Sequence, residues 1–141
     1  MTLRPVREDD DDAVADLSTQ LGYPTRSDQA AARLRDLAGR PEDAVLVAEE
    51  DGAVIGWIHV CGVWRLESEP SAEIAGLVVD EARRGRGTGA ALVEAAAAWA
   101  REHGYATLRV RSNTVRTRTH AFYERMGFSR TKTQVVLDRK L

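Results

Sequence analysis

Three glycines fall within five residues in the stretch Arg84-Gly85-Arg86-Gly87-Thr88-Gly89, and three arginines, Arg83, Arg84 and Arg86, stand among and beside them. Glycine lets the main chain turn through conformations closed to other residues, and it lets a ligand approach the bare backbone. Residues 73–79 ahead of this stretch read as a strand ending at Val78-Val79, and residues 88–103 after it read as a helix. A helix start presents unpaired N–H groups and the positive end of a dipole, so it attracts anions. Strand, glycine turn, helix and arginines together predict a cradle for phosphate or pyrophosphate.

Two familiar cradles fit poorly. A P-loop ends in Gly-Lys-Ser/Thr, which is missing here. A dinucleotide fingerprint spaces its glycines Gly-x-Gly-x-x-Gly and places an acidic residue about 20 positions on. Here the spacing is Gly85-x-Gly87-x-Gly89, and the position for the acid falls around Arg109.

The rest of the chain reads as one domain with alternating element types. Residues 3–6 suit a short strand. The acidic run 8–12 reads as the solvated start of a helix carrying Val14, Leu17 and Leu21, and Gly22 and Pro24 end that helix. Ser27 suits the N-cap of a second helix with Ala31, Leu34 and Leu37 on one face. Two β-rich runs, 44–48 and 54–60, flank Asp51-Gly52, a hairpin signal. Residues 64–71 are polar and read as a loop. Leu92, Ala95, Ala96 and Trp99 form the buried stripe of helix 88–103, and Gly104 suits its C-cap. Residues 105–111 alternate as a half-buried strand, 119–126 suit a short helix, and 131–137 a closing strand. The expected order is β-α-α-β-β-β-α-β-α-β, an α/β (α+β) fold over residues 1–141.

Bulk properties narrow the partners. A length of 141 residues with 43% hydrophobic and 30% charged residues suits one globular domain. A net charge of −2 argues against a nucleic-acid footprint. One cysteine, Cys61, makes no internal disulfide, and residues 1–8 lack the apolar core of a signal peptide. The apolar stretch 90–100 is too short for a bilayer. The expectation is a soluble cytoplasmic protein without a membrane partner, and a homodimer is compatible with it.

With these elements in order, the chain resembles the GNAT acetyltransferase superfamily. Arg84-Gly85-Arg86-Gly87-Thr88-Gly89 matches the Arg/Gln-x-x-Gly-x-Gly/Ala motif of that family. Ala72-Glu73-Ile74-Ala75-Gly76-Leu77-Val78-Val79-Asp80 looks like its central strand, and His120-Ala121-Phe122-Tyr123-Glu124-Arg125-Met126-Gly127-Phe128 resembles its C-terminal helix signature. The resemblance implies a mixed, mostly antiparallel central sheet flanked by helices, and acetyl-coenzyme A as co-substrate. It implies that backbone amides of Arg84, Gly85, Arg86, Gly87, Thr88 and Gly89 hold the pyrophosphate. Main-chain groups of Leu77, Val78 and Val79 then pair with the pantetheine arm, where the central strand and its neighbour splay apart. Asn113 matches an asparagine that contacts the cofactor; many relatives carry a second one where this chain has Arg116.

Acetyl transfer to an amine needs a base to deprotonate the amine and a donor for the leaving thiolate. Glu73 is the base candidate; strict alternation puts it on one face with Ala75 and Leu77. The resemblance places Tyr123 beside the thioester sulfur, both as cofactor contact and as acid. Cys61 has no activating partner in sequence and reads as a small hydrophobe. His59, His103 and His120 lack metal-ligand spacing, so no metal is expected. Trp57 reads as core and Trp64 as the better substrate contact. The acceptor is open: the acidic stretch 67–73 favours a small-molecule amine, with a peptide or protein amine second. A coenzyme A-binding module without catalysis is the third reading.

Overall fold

Asp51-Gly52 turns the chain between two apolar runs with φ of 51° and 78°. Left-handed conformation at both central residues gives a turn whose twist matches its strands. β2 (Asp43–Glu50) and β3 (Ala53–Arg65) are its arms, and β4 (Ser68–Val79) folds back antiparallel on β3. β1 (Thr2–Pro5) pairs antiparallel with β2, and β5 (Leu108–Val110) pairs parallel with β4. The sheet order is therefore β1-β2-β3-β4-β5, mostly antiparallel. This structure is a computed structural model and describes all 141 residues, which gather into two units, Met1–Val110 and Arg111–Leu141.

In the first unit the sheet is covered on both faces. α1 (Asp11–Leu21) and α2 (Ser27–Ala38) cover one face, where Val14 and Leu34 meet Val45 and Trp57 across a cavity. α3 (Thr88–Glu102) covers the other, and its Leu92 side chain lies against Gly56 of β3. Val47, Ile55, Ile58, Val60, Leu92 and Val93 are fully buried side chains of this core. α3 buries Thr88, Leu92, Val93, Ala96 and Ala100, so its stripe runs one residue past the expected Trp99. Trp99 instead stacks on His103 and Tyr105.

Several expectations need correction. Residues 64–71 are not a loop: β3 runs to Arg65 and β4 starts at Ser68, leaving a two-residue turn at 66–67. Polar residues run together there because residues 64–69 are exposed on both faces of the hairpin. The strand expected over 105–111 is paired only from 108 to 110, because Tyr105 gives its N–H to Ala100 at the end of α3. The acidic run is not wholly solvated either. Asp10 is 8% exposed and accepts two hydrogen bonds from the Arg4 guanidinium and one from the Arg7 N–H.

The second unit contains α4 (Thr117–Arg125), which Gly127 terminates with φ 91°. Residues 131–137 form no strand, although their composition is β-rich. A lone strand leaves its ladder groups unpaired, so β-propensity without a partner is insufficient. Val135, Val136 and Leu137 are exposed accordingly.

Candidate functional site

β4 carries the key irregularity. His59 pairs with Gly76 while Val60 pairs with Ile74, so Ala75 is an extra residue without a partner on β3. A bulge of this kind bends the strand and resets which side chains share a face. Glu73, opposite Cys61, shares its face with Gly76 and Val78, which lie opposite His59 and Trp57. Leu77 lies opposite Ile58 on the α3 side. The expected common face of Glu73, Ala75 and Leu77 is therefore broken by one inserted residue.

The other edge of β4 is open where it matters. β5 pairs only with Ala72, Glu73 and Ile74. From Ala75 to Val79 the outer edge of β4 has no strand beside it in this unit, so main-chain groups of Leu77 and Val79 are presented there, while the Val78 carbonyl faces β3, 2.9 Å from where a Cβ on Gly56 would sit. This edge leads through a 3₁₀ turn, Glu81–Arg83, to the glycine-rich loop.

In the loop, Gly85 and Gly87 have φ of 81° and 83°, and nothing lies within 4 Å of where a Cβ would sit on either. Left-handed backbone needs glycine at both, and the space beside them is free for a ligand. Gly87 is the N-cap of α3, no side chain caps the helix, and its first turn holds no acidic residue. The N–H groups of Thr88, Gly89 and Ala90 have no helical acceptor, which leaves an anion site at the dipole's positive end. Arg84 gives its Nε hydrogen to the Val79 carbonyl at 3.2 Å, tying loop to strand. Arg86 is 3.6 Å from Glu50 and largely exposed. An open cradle, an uncapped helix of fifteen residues and a free strand edge suit a pyrophosphate with an amide-bearing tail.

A cavity of about 380 Å³ opens on the α1/α2 face. Its floor includes Trp57 and His59 of β3 and the bulge residues Ala75 and Gly76 of β4. Ala75 and Gly76 thus belong both to this cavity and to the strand whose outer edge is open. Gly76 makes room for the Trp57 ring, because a Cβ there would lie 2.8 Å from Cζ3. The Trp57 indole N–H is buried without a partner, an unusual state for a buried donor. Trp57 is therefore a cavity wall as well as a core residue, whereas Trp64 is 68% exposed and outside the cavity. Of the two tryptophans, only Trp57 lines this cavity. Glu67, Glu69 and Glu73 do not line the cavity either.

The sequence did not single out His59. Its Nε2 lies 2.7 Å from the Asp43 carboxylate, and the other carboxylate oxygen accepts from Arg40 Nε at 2.8 Å. Burial draws the Asp43 carboxyl up, but hydrogen bonds from His59 and Arg40 outweigh it and hold the group below the ordinary carboxylate range. No sequence signal marked the pair: a register shift between Ala48 and Glu49 is what puts Asp43 opposite Cys61, diagonal to His59. Burial, then the carboxylates of Asp43 and Glu73, push the Cys61 thiol up, which makes it a poor nucleophile.

Tyr123 and Asn113 lie in the second unit. Tyr123 is 7% exposed, its ring edge-on to Phe122 and Phe128 at 5.0 and 5.2 Å. Burial pushes its phenol up to about 12. Asn113 accepts the Val115 N–H on its side-chain oxygen at 3.1 Å, and its carbonyl accepts from Arg116 and from His120. Asn113 therefore shapes the turn into α4, with its amide nitrogen left as a donor.

The model of the acetyltransferase (GNAT) family matches residues 11–128; the chain belongs to that family. It is similar to an uncharacterized N-acetyltransferase of Methanocaldococcus jannaschii, 32% identical over 94 residues that make up 65% of this chain and 42% of that protein. The chain thus spans less than half the length of that curated relative. A structure from Agrobacterium tumefaciens described as an acetyltransferase is 27% identical, with a TM-score of 0.88 over 99% of this chain and 100% of that one. An aminoglycoside 6'-N-acetyltransferase from Acinetobacter haemolyticus shares the fold at 19% identity, with a TM-score of 0.86 over 100% of this chain and 99% of that one. An aminoglycoside N-acetyltransferase in complex with CoA does so at 18%, with a TM-score of 0.85 over 99% of this chain and 100% of that one.

Proposed function

We propose that the chain is an N-acetyltransferase that moves an acetyl group from acetyl-coenzyme A directly to a small-molecule amine. One observation carries the reading: the open outer edge of β4 runs from the cavity to an uncapped helix start behind two left-handed glycines. Residues 84–89 hold the pyrophosphate through backbone amides, with Arg84 and Arg86 adding positive charge. Leu77 and Val79 hold the pantetheine arm along the open edge, and Asn113 adds a side-chain donor. Acetyl-coenzyme A supplies the activated acyl group; the rest of the chemistry falls to side chains. The acceptor enters the cavity at Ala75 and Gly76. Glu73 and His59, both on this face of the sheet, are the candidates to take its proton. Tyr123, protonated throughout the neutral range, gives a proton to the leaving thiolate. Both units act as one acetyltransferase domain, and the family match spans both.

Purified protein with acetyl-coenzyme A and a panel of amines is expected to release free thiol and form N-acetyl product. Saturable coenzyme A binding without turnover of any amine favours the non-catalytic binding module.

A further inference from the structure

We infer that the cavity takes a compact, apolar primary amine and that His59, held by Asp43, is the base that deprotonates it. This rests on the transferase reading above and assigns its acceptor class and base.

The lining decides the class. Val14, Leu21, Leu34, Leu37, Val45 and Trp57 make the walls apolar, and no aspartate or glutamate is among the lining residues. The only lining groups able to carry positive charge are His59 and Arg33, and Arg33 has no acidic partner. A polycation would leave water for a site that offers it no carboxylate and one fixed like charge. A monoamine on an apolar body buries that body and presents a single nitrogen. This separates the chain from the aminoglycoside-acetylating proteins whose fold it shares.

The base follows from placement. His59 lines the cavity beside the bulge, and Glu73 does not. With Nε2–H given to Asp43, the neutral imidazole carries its lone pair on Nδ1, which has no hydrogen-bond partner. Asp43 is a positioning residue, fixing ring and tautomer as an orienting carboxylate does. The step balances. His59 takes one proton from the ammonium group and passes it to solvent. The nitrogen lone pair forms the C–N bond as the C–S bond breaks, and that electron pair leaves on sulfur. The second N–H proton of the amine, shed as the amide forms, neutralises the thiolate. The charged and titratable groups around His59 are Asp43 and Arg40 on the β2 side, Cys61 on β3, Glu73 on β4, Arg33 on α2 and Tyr23 after α1.

The test uses phenethylamine and hexylamine against spermine and kanamycin, with wild type, His59→Gln, Asp43→Asn and Glu73→Gln. The monoamines are expected to exceed the polycations in kcat/KM by about 100-fold. His59→Gln should lower kcat/KM about 100-fold and abolish the acid limb of its pH profile. Asp43→Asn should displace that limb, which a merely structural role would not do; a limb kept in His59→Gln and lost in Glu73→Gln assigns the base to Glu73 and overturns the inference. Without acetyl-coenzyme A, phenethylamine should bind saturably by calorimetry and shift the His59 ring resonances, while spermine should do neither. Coenzyme A affinity reports folding of each variant, and His59→Asn replaces a His59→Gln that fails to fold. Polycations turned over at parity, or an unchanged profile in the His59 variants, overturn the inference and leave the transferase reading intact. Absence of thiol release with every amine overturns that reading, and the inference with it.

Discussion

Gly76→Ala separates the proposed acceptor cavity from the proposed coenzyme site. A Cβ at residue 76 would sit 2.8 Å from Trp57 Cζ3 and 2.9 Å from Cη2, whereas ordinary contacts between carbons lie near 3.5–4.0 Å. The φ at Gly76 is not in the left-handed region, so the backbone accepts alanine without strain. The whole cost falls on the indole, which must move by most of an ångström, and its open side is the cavity. Overpacking of this kind costs about 1–3 kcal/mol, which for a domain of this size lowers Tm by about 3–12 °C. Trp57 then intrudes on the cavity, and a loss of about 1–2 kcal/mol in acceptor binding raises KM for the amine about 5- to 30-fold. The new methyl group points to the α1/α2 face and not to the strand edge, so coenzyme A affinity should hold. Thermal denaturation, amine KM and calorimetric coenzyme A titration are the three assays. A variant with unchanged Tm and unchanged amine KM, or one that loses coenzyme A affinity instead, refutes this reasoning.

Gly87→Ala should show the opposite pattern. Its φ of 83° with nothing nearby makes the cost purely conformational, about 1–2 kcal/mol, read as a 5- to 30-fold weaker coenzyme A Kd with amine KM unchanged. Tyr123→Phe should lower kcat at least about 10-fold with little change in Tm, since the phenol makes no hydrogen bond within its unit. The wild-type profile should show no alkaline limb from this phenol below pH 10, because burial pushes it up to about 12. Asp10→Asn breaks a pair whose side chains are 13% and 8% exposed and should cost about 3–5 kcal/mol in urea denaturation at pH 7. Hydrogen bonds from Arg4 hold the Asp10 carboxyl down against burial. Its contribution is therefore full above the unfolded value near 3.9 and lost as pH falls through the folded one. The stability gap between wild type and Asp10→Asn should close below about pH 4.

The glycine-rich cradle was legible because its information is local. Glycine at a left-handed position, the helix start and the preceding strand all lie between residues 73 and 103. The β2–β3 hairpin was legible for the same reason, its turn chemistry being written in Asp51-Gly52. What depends on pairing was not. One unpaired residue, Ala75, reassigns the faces of β4, and no propensity scale marks it. The His59–Asp43 pair joins residues sixteen apart through strand register, and Trp57 differs from Trp64 in lying under α1 and α2 while Trp64 stands at the exposed end of the β3–β4 hairpin. Asp10 read as part of a solvated run because its partner, Arg4, is reached through the turn ahead of α1. Residues 131–137 carry strand composition without a partner, and composition alone does not make a ladder.

The proposed coenzyme site is tested most directly by backbone amide resonances followed during titration with coenzyme A. Saturable shifts should concentrate at residues 76–79 and 85–90, with His59 and Trp57 little changed until an amine is added. Absence of binding, or shifts that spare the 85–90 amides, would contradict it.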